Sequence, residues 1–166
     1  MLSLIRDLHA YQAWADAEVL HLVEGTKDAR SDPRILELLN HIYMVHRFFL
    51  LSVQGAPPAR EELMRELPFD ELACAIQDLH TLADAYLPKV RESHLDDKIE
   101  VPWFKDYQPT CQEALTQTAL HSQNHRGQLL TLLRTMGADT RPLDYILWVS
   151  RGRPTARWQG TPAASL

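Results

Sequence analysis

Apolar residues recur at intervals of three and four along most of this 166-residue chain, and this spacing constrains its fold more than any other feature. An α-helix turns once in about 3.6 residues, so the spacing places apolar side chains on one helix face. The alternation typical of half-buried strands is sparse. The sequence therefore predicts an all-α protein whose helices pack through their apolar faces.

Start and stop signals divide the chain into four long helices. Asp32-Pro33 offers a side-chain cap followed by proline in the first turn, and Thr110–Glu113 has the capping-box pattern. Pro88 should end or kink a helix because proline lacks an amide donor, and Gly25 and Gly137 are candidates for the left-handed residue after a helix. The predicted long helices cover residues 2–24, 33–55, 70–87 and 110–136.

The remaining segments complete the predicted organisation. Residues 59–67 form a short helix or a loop, and residues 142–149 form a brief last helix. Residues 96–109 contain β-branched and aromatic residues with two prolines, which predicts an extended crossover or a small hairpin. We therefore expect one domain over residues 1–149, an antiparallel four-helix bundle with a longer crossover before the fourth long helix. Residues 150–166, rich in Gly, Pro and small polar residues, are predicted to be a flexible tail.

Charge and cysteine content narrow the function classes. The chain has 17 Lys and Arg against 22 Asp and Glu, a net charge of −5, which disfavours nucleic-acid or membrane-surface binding. Polar residues interrupt the most apolar stretch, 35–53, and the first residues do not resemble a secretion signal. Cys74 and Cys111 lie far apart without a CxxC partner, so we expect no disulfide scaffold and a reduced, cytoplasmic location.

Histidine spacing gives the strongest chemical signal. His121 and His125 lie four residues apart in the predicted fourth long helix, so both imidazoles can face one metal ion. The alternative is a solvated pair on the helix surface. In zinc proteases with a related spacing, a glutamate follows the first histidine and acts as the general base, whereas Ser122 stands here. The spacing therefore permits a metal site, leaves the surface pair open and disfavours a metalloprotease.

A third ligand must come from another helix, and two histidines of the second long helix compete for that role. His41 lies beside an apolar stripe and is the leading candidate. His46, five positions later, is rotated by about 140° and should not serve the same ion. The alternative for either is a histidine bonded to a carbonyl group or to water. The other helix histidines are predicted to lie on the surface: His9, His21, His80 and His94.

Three residues after the histidine pair extend the local pattern. Glycine inside a helix costs about 1 kcal/mol relative to alanine, so a close approach by a helix or a ligand is expected at Gly127. Gln128 shares the face of His121 and could bond a metal-bound water or an imidazole, or make a structural bond. Arg126 points to the side of that face, where a surface salt bridge is favoured over anion binding.

Together these motifs resemble the DinB/YfiT-like family of bacterial metal-binding proteins, the damage-inducible DinB family. The resemblance spans residues 5–149, and its HxxxHRGQ core is fairly specific. The residues that carry it are His121-x-x-x-His125-Arg126-Gly127-Gln128, Asn40-His41, Tyr11-x-x-Trp14-Ala15, Trp103 and Pro142-Leu143-Asp144.

The resemblance implies a four-helix bundle, often a homodimer, in which His41, His121 and His125 bind one divalent metal ion. Family members include thiol-dependent S-transferases and mycothiol-dependent maleylpyruvate isomerases. Three neutral imidazoles suit transition metals, with zinc or nickel favoured, and leave a coordination position open. The leading hypothesis is a metal-dependent enzyme that transfers a low-molecular-weight thiol to a small electrophilic substrate. The alternatives are a metal-activated hydrolase and a noncatalytic metal-binding or dimerising stress-response protein.

Overall fold

The computed structural model describes residues 1–158, and helices dominate this range. Within these residues there is no strand, and one isolated antiparallel bridge joins Lys98 to Thr110. The all-α class is therefore confirmed. Residues 1–158 contain six α-helices, which are α1 (Leu2–Gly25), α2 (Pro33–Ser52), α3 (Arg60–Leu63), α4 (Phe69–Tyr86), α5 (Cys111–Thr135) and α6 (Tyr145–Ser150).

Helix α1 ends differently from the prediction. Gly25 is its last residue rather than a left-handed residue beyond it, and Thr26 follows in an extended conformation. The Thr26 side chain explains this end, because its Oγ1 donates to the carbonyl of Leu22 at 2.6 Å and satisfies a terminal acceptor. On the inner side of α1, Ile5 is buried, whereas the neighbouring Leu4 is 48% exposed.

The start of α2 confirms the predicted cap. The Asp32 side chain accepts from the amides of Arg34 and Ile35, and Pro33 occupies the first turn. The helix ends at Ser52, three residues before the predicted end. Gly55 then adopts a φ of +75°, a left-handed conformation that glycine reaches without a steric penalty.

The segment between α4 and α5 contains only two short 3-10 turns, and residues 96–109 contain no helix, as their two prolines suggested. Helix α4 ends at Tyr86, and Pro88 lies in a single 3-10 turn, Leu87–Lys89. The chain then returns to α5 without a hairpin, because the bridge at Lys98 is isolated. The amide of Cys111 donates to the carbonyl of Asp97 at 2.8 Å, so this segment is fastened to the start of α5.

Both ends of α5 follow the prediction. Thr110 and Glu113 form the complete capping box, and Gly137 has a φ of +91° directly after the C-terminal cap, Met136. Helix α6 begins at Tyr145, three residues later than predicted, and Asp144 is its N-cap.

Part of the segment predicted to be a flexible tail contacts the helices. His21 Nε2 lies 2.6 Å from the carbonyl oxygen of Arg157, and the ring of Trp158 stacks on His80 with 5.3 Å between centroids. Residues 159–166 lie outside the described residues, so flexibility there stays a prediction.

The core lies between the four long helices, where α1 and α2 each pack against both α4 and α5. Apolar residues fill most of it, but polar residues continue the same three- and four-residue spacing near the middle of each helix. These buried polar residues are His9, Gln12 and Asp16 of α1, His46 of α2, His80 of α4, and Thr118, Ser122 and Arg126 of α5. We call this set the polar layer.

None of the described helices combines the length and apolar character that crossing a membrane would need.

The capping box of α5 should contribute measurably to stability. We expect Thr110→Ala to lower the free energy of unfolding by about 1 kcal/mol, because the Glu113 amide loses its acceptor. Urea unfolding followed by circular dichroism measures this change. Thr131→Ala is the matched control, since that exposed hydroxyl only bonds the carbonyl of Gly127 within the same helix. Equal losses in both variants would contradict a capping role.

Candidate metal centre

The three histidines proposed as ligands meet where α2 faces α5. The Nε2 atoms of His41 and His121 lie 3.0 Å apart, and each of the three residues offers a nitrogen within 4.8 Å of the other two. The ring centroid of His41 lies 4.7 Å from that of His121 and 4.7 Å from that of His125. All three side chains are partly buried, so the cluster is open on one side.

Helix geometry explains how these side chains come together. His121 and His125 are one turn apart on α5, and α2 presents His41 from across the interface. His46 faces elsewhere, as its rotation from His41 predicted. It is 2% exposed, and its ring lies 4.9 Å from that of His80.

The surroundings favour the neutral form of His41 and His121 near pH 7. Burial, together with the nearby rings of His125 and His41, lowers the pKa of His121 to about 4. Burial and His125 also lower the pKa of His41, although Glu37 partly opposes this shift. Neutral imidazoles have the free lone pair that a transition metal requires.

Gln128 contacts the cluster from the same helix. Its Oε1 lies 3.4 Å from Nδ1 of His125, so it can accept a hydrogen bond from a protonated Nδ1 and leave Nε2 free for an ion. Gly127 does not fulfil its prediction. A Cβ atom built there meets no other described atom within 4 Å, so the expected close approach is not found.

A second group of possible ligands lies inside the polar layer. Asp16 Oδ2 is 2.9 Å from His80 Nε2, and Asp16 Oδ1 accepts from Arg126 Nη1 at 2.6 Å. His46 completes this group, whose ligand atoms also lie within 4.8 Å of one another. The predictions of a surface His80 and a surface salt bridge at Arg126 are therefore wrong. Both side chains are almost inaccessible because each bonds a carboxylate that is itself buried.

The rest of the polar layer bonds internally. Gln12 Nε2 lies 3.0 Å from Ser122 Oγ and 3.2 Å from His46 Nδ1. His9 Nε2 lies 3.1 Å from the carbonyl oxygen of Leu115, so the prediction that His9 is a surface residue is also wrong. Burial lowers the pKa of His9 to about 4 and lowers that of His46 well below its usual value.

The charge balance makes the Asp16 group a poor site for a cation. Burial alone would raise the pKa of Asp16, but Arg126 and His80 together lower it, so the carboxylate stays ionised and paired. A divalent ion at this position would lie beside the buried guanidinium, and the repulsion would be strong in a medium of low dielectric constant. The open histidine cluster between α2 and α5 is therefore the better candidate metal centre.

Sequence reasoning missed Asp16 entirely. Its spacing could have indicated burial. Asp16 belongs to a series on α1 with intervals of four and three residues, which consists of Ile5, His9, Gln12, Asp16 and Val19. All five are buried. A polar residue that continues an apolar stripe is thus a core position with a distant partner.

The buried neutral histidines predict a loss of stability in mild acid. An unfolded histidine binds a proton below about pH 6.5, whereas His9 binds one only near pH 4 in the folded state. The stability that neutral His9 provides is therefore complete above pH 6.5 and is lost as the pH falls toward 4. We expect His9→Gln to reduce the pH dependence of the unfolding free energy over this range by about 1.4 kcal/mol per pH unit.

Urea unfolding at several pH values measures this slope. His21→Gln is the control, because His21 is an exposed residue of the same helix. An unchanged slope in His9→Gln would contradict the assignment of His9 as a buried neutral group.

Comparison with known families agrees with the motifs around the histidine cluster. A search of curated proteins gives no match. The family model described as DinB family matches residues 9–155, a range that includes α2, α5 and all three histidines. The chain therefore belongs to the DinB family.

Proposed function

We propose that this protein is a metal-dependent enzyme whose single divalent transition-metal ion is bound by His41, His121 and His125. The observation that carries the proposal is the convergence of three imidazoles, from two helices, with one nitrogen of each within 4.8 Å of the others. Two nitrogen ligands at about 2.0–2.1 Å from a tetrahedral ion lie about 3.3 Å apart, so small side-chain movements would suffice. This donor set fits zinc or nickel.

A cavity gives other molecules access to this site. It has a volume of about 150 Å³ and reaches His41 from between α2 and α3. Glu37, Asn40 and Arg65 are among its lining residues. Three protein ligands would leave a coordination position for a molecule that enters there.

The proposed reaction is transfer of a low-molecular-weight thiol to an electrophilic carbon. The ion, when bound, would lower the pKa of a thiol or a water molecule. With a haloaromatic substrate, the sulfur forms a bond to carbon, the halide leaves with the electron pair, and the thiol proton is released. Glu37 lines the cavity beside His41 and offers a carboxylate that can accept this proton. Gln128 orients His125.

Glu37 also favours a second candidate, a metal-activated hydrolase. A carboxylate beside an open metal position can take a proton from water as readily as from a thiol. The two candidates therefore share the site and differ in the nucleophile.

We further propose that the four long helices form a bundle. Helices α1 and α5 run in the same direction, because residue numbers increase along both from the pair His9 and Leu115 to the pair Asp16 and Arg126. Helices α1 and α4 run in opposite directions, because residue numbers rise in α1 but fall on the α4 side from the pair Arg6 and Leu87 to the pair Asp16 and His80. This pattern supports a bundle of mixed helix directions. A homodimer and a cytoplasmic location remain part of the proposal.

Metal content tests the site directly. We expect about one zinc or nickel ion per chain in protein prepared without chelators, as measured by mass spectrometry and calorimetric titration. His121→Ala should abolish stoichiometric binding. Gln128→Leu should weaken affinity by about 10- to 100-fold, since it removes only the bond that orients His125.

His21→Ala is the control, because His21 is a histidine outside the cluster. Circular dichroism verifies that each variant is folded. Metal-free wild-type protein after incubation with both ions, or unchanged binding in His121→Ala, would exclude the site.

Thiol consumption tests the reaction separately. We expect metal-loaded protein to consume glutathione, mycothiol or cysteine in the presence of a haloaromatic compound or an epoxide, and His121→Ala to lose this activity. Free-thiol assays measure the rate. If metal binds but no thiol of the panel is consumed, the transferase assignment fails and the site stands. Hydrolysis of an ester or amide panel by the same protein would then support the second candidate.

A further inference from the structure

A second, larger cavity lies along the same interface between α2 and α5. It has a volume of about 300 Å³, which is at the lower end of the range for small-molecule sites. Phe49 and Ala114 come from the two helices, and the irregular segment before α5 contributes the remaining apolar residues, Phe104, Tyr107 and Pro109.

Two aromatic residues that line this cavity, Phe104 and Tyr107, and one beside it, Trp103, are unusually exposed for their size. Trp103 is 57%, Phe104 44% and Tyr107 51% accessible, although they are close in sequence. Trp103 contacts Phe48 of α2 with 4.5 Å between ring centroids, so this group is held against the helix. Exposed aromatic surface grouped around a cavity is typical of a binding site rather than of scattered surface residues.

The charge at the cavity disfavours anionic ligands. Glu113 lines the cavity, and its carboxylate accepts from the Thr110 amide at 2.7 Å. These bonds, together with one to Tyr107, lower the pKa of Glu113, so the group is negative near neutral pH. Lys98 is a cation close to this group, but its ammonium lies 5.8 Å from the centroid of the Tyr107 ring and already interacts with Glu113. A ligand that carries a carboxylate would therefore meet like charge at Glu113, whereas a neutral ring would not.

The cavity lies next to the histidine cluster. Gln117 lines it and precedes His121 by four residues, which places the two on one face of α5 about 6 Å apart along the axis. Phe49 lies two turns beyond His41 on α2. A flat molecule in this cavity would thus have one end close to the three imidazoles.

From this placement we propose that the cavity between Phe49, Phe104, Tyr107 and Gln117 binds the apolar part of an uncharged aromatic electrophile. The inference deepens the proposed function and rests on it, because only the proposed thiol transfer requires the ligand to be an electrophile. Aromatic side chains stack on a planar ring, and the polar end at Gln117 directs the reactive carbon toward the histidines. The polar cavity at His41 is then left for the thiol.

Equilibrium binding tests the cavity without any need for metal or turnover. Dinitrotoluene is a neutral, unreactive probe, and its affinity for the wild-type chain is measured by calorimetric titration with and without zinc. We expect specific binding in both states. Phe104→Ala and Tyr107→Ala should each weaken it about tenfold, because each removes an aromatic contact. Both side chains are exposed, and thermal unfolding verifies that the variants remain folded.

Leu120→Ala is the matched control, since Leu120 is a 60% exposed apolar residue of α5 that does not line the cavity. We expect it to bind the probe as wild type does. Equal weakening in Leu120→Ala, or no binding to wild-type protein, would overturn the inference. Dinitrobenzoate should bind about tenfold more weakly than dinitrotoluene because of Glu113, and equal affinity would overturn the preference for an uncharged ligand.

Turnover of chlorodinitrobenzene with a thiol separates this inference from the proposed function. Phe104→Ala should raise KM about tenfold and leave kcat within about twofold, because the contact is remote from the reacting carbon. Probe binding without thiol consumption would refute the transferase and leave the aromatic cavity intact. Thiol consumption with an unchanged KM in Phe104→Ala would refute the cavity and leave the transferase intact.

Discussion

The buried carboxylate of Asp16 is the constraint on which the packing of three helices depends. A charge removed from water is tolerated only where partners replace its solvation, and Asp16 finds these partners in Arg126 of α5 and His80 of α4. A shift of either helix along α1 would leave a buried charge without its partner. The polar layer thus selects one arrangement of the helices, while the apolar residues around it provide most of the stabilisation.

The same ion pair determines which way the histidine pair points. Arg126 follows His125 directly, so the two side chains are about 100° apart around α5. When Arg126 faces α1, His125 faces the edge where α2 lies, and His121 shares that edge one turn earlier. The helix therefore has a core edge through Ser122 and Arg126 and a ligand edge through His121 and His125. The buried bond between Arg126 and Asp16 on the core edge therefore fixes the orientation of the ligand edge.

Much of this could be predicted from the sequence, because the signals are local. Asp32-Pro33 and the Thr110–Glu113 box define helix starts through bonds to amides within three residues, and the HxxxH spacing needs only the pitch of one helix. Its position beside an apolar stripe made His41 the leading partner with His46 as a rival, and the family resemblance then implied His41.

The polar layer could not be predicted in the same way. His9, His80 and Arg126 are polar, and polarity alone indicates the surface unless a partner is known. Their partners lie between 64 and 110 residues away along the chain. Only the packed fold shows that these three residues, which were expected at the surface, are buried away from water. The cavity at Phe104 was equally hidden, because an irregular segment has no periodicity from which its position could be inferred.

The two edges of α5 have a consequence for how this chain can change over evolutionary time. Replacement of a histidine alters one side chain and leaves the core edge in place, so the chemistry at the centre can diverge while the fold persists. An insertion or deletion of a single residue between Ser122 and Arg126 is different. It would rotate one half of the helix against the other by about 100°, which separates the ion pair from at least one of the ligands it orients. The spacing within this helix is therefore more tightly restricted than the identity of the residues that it presents.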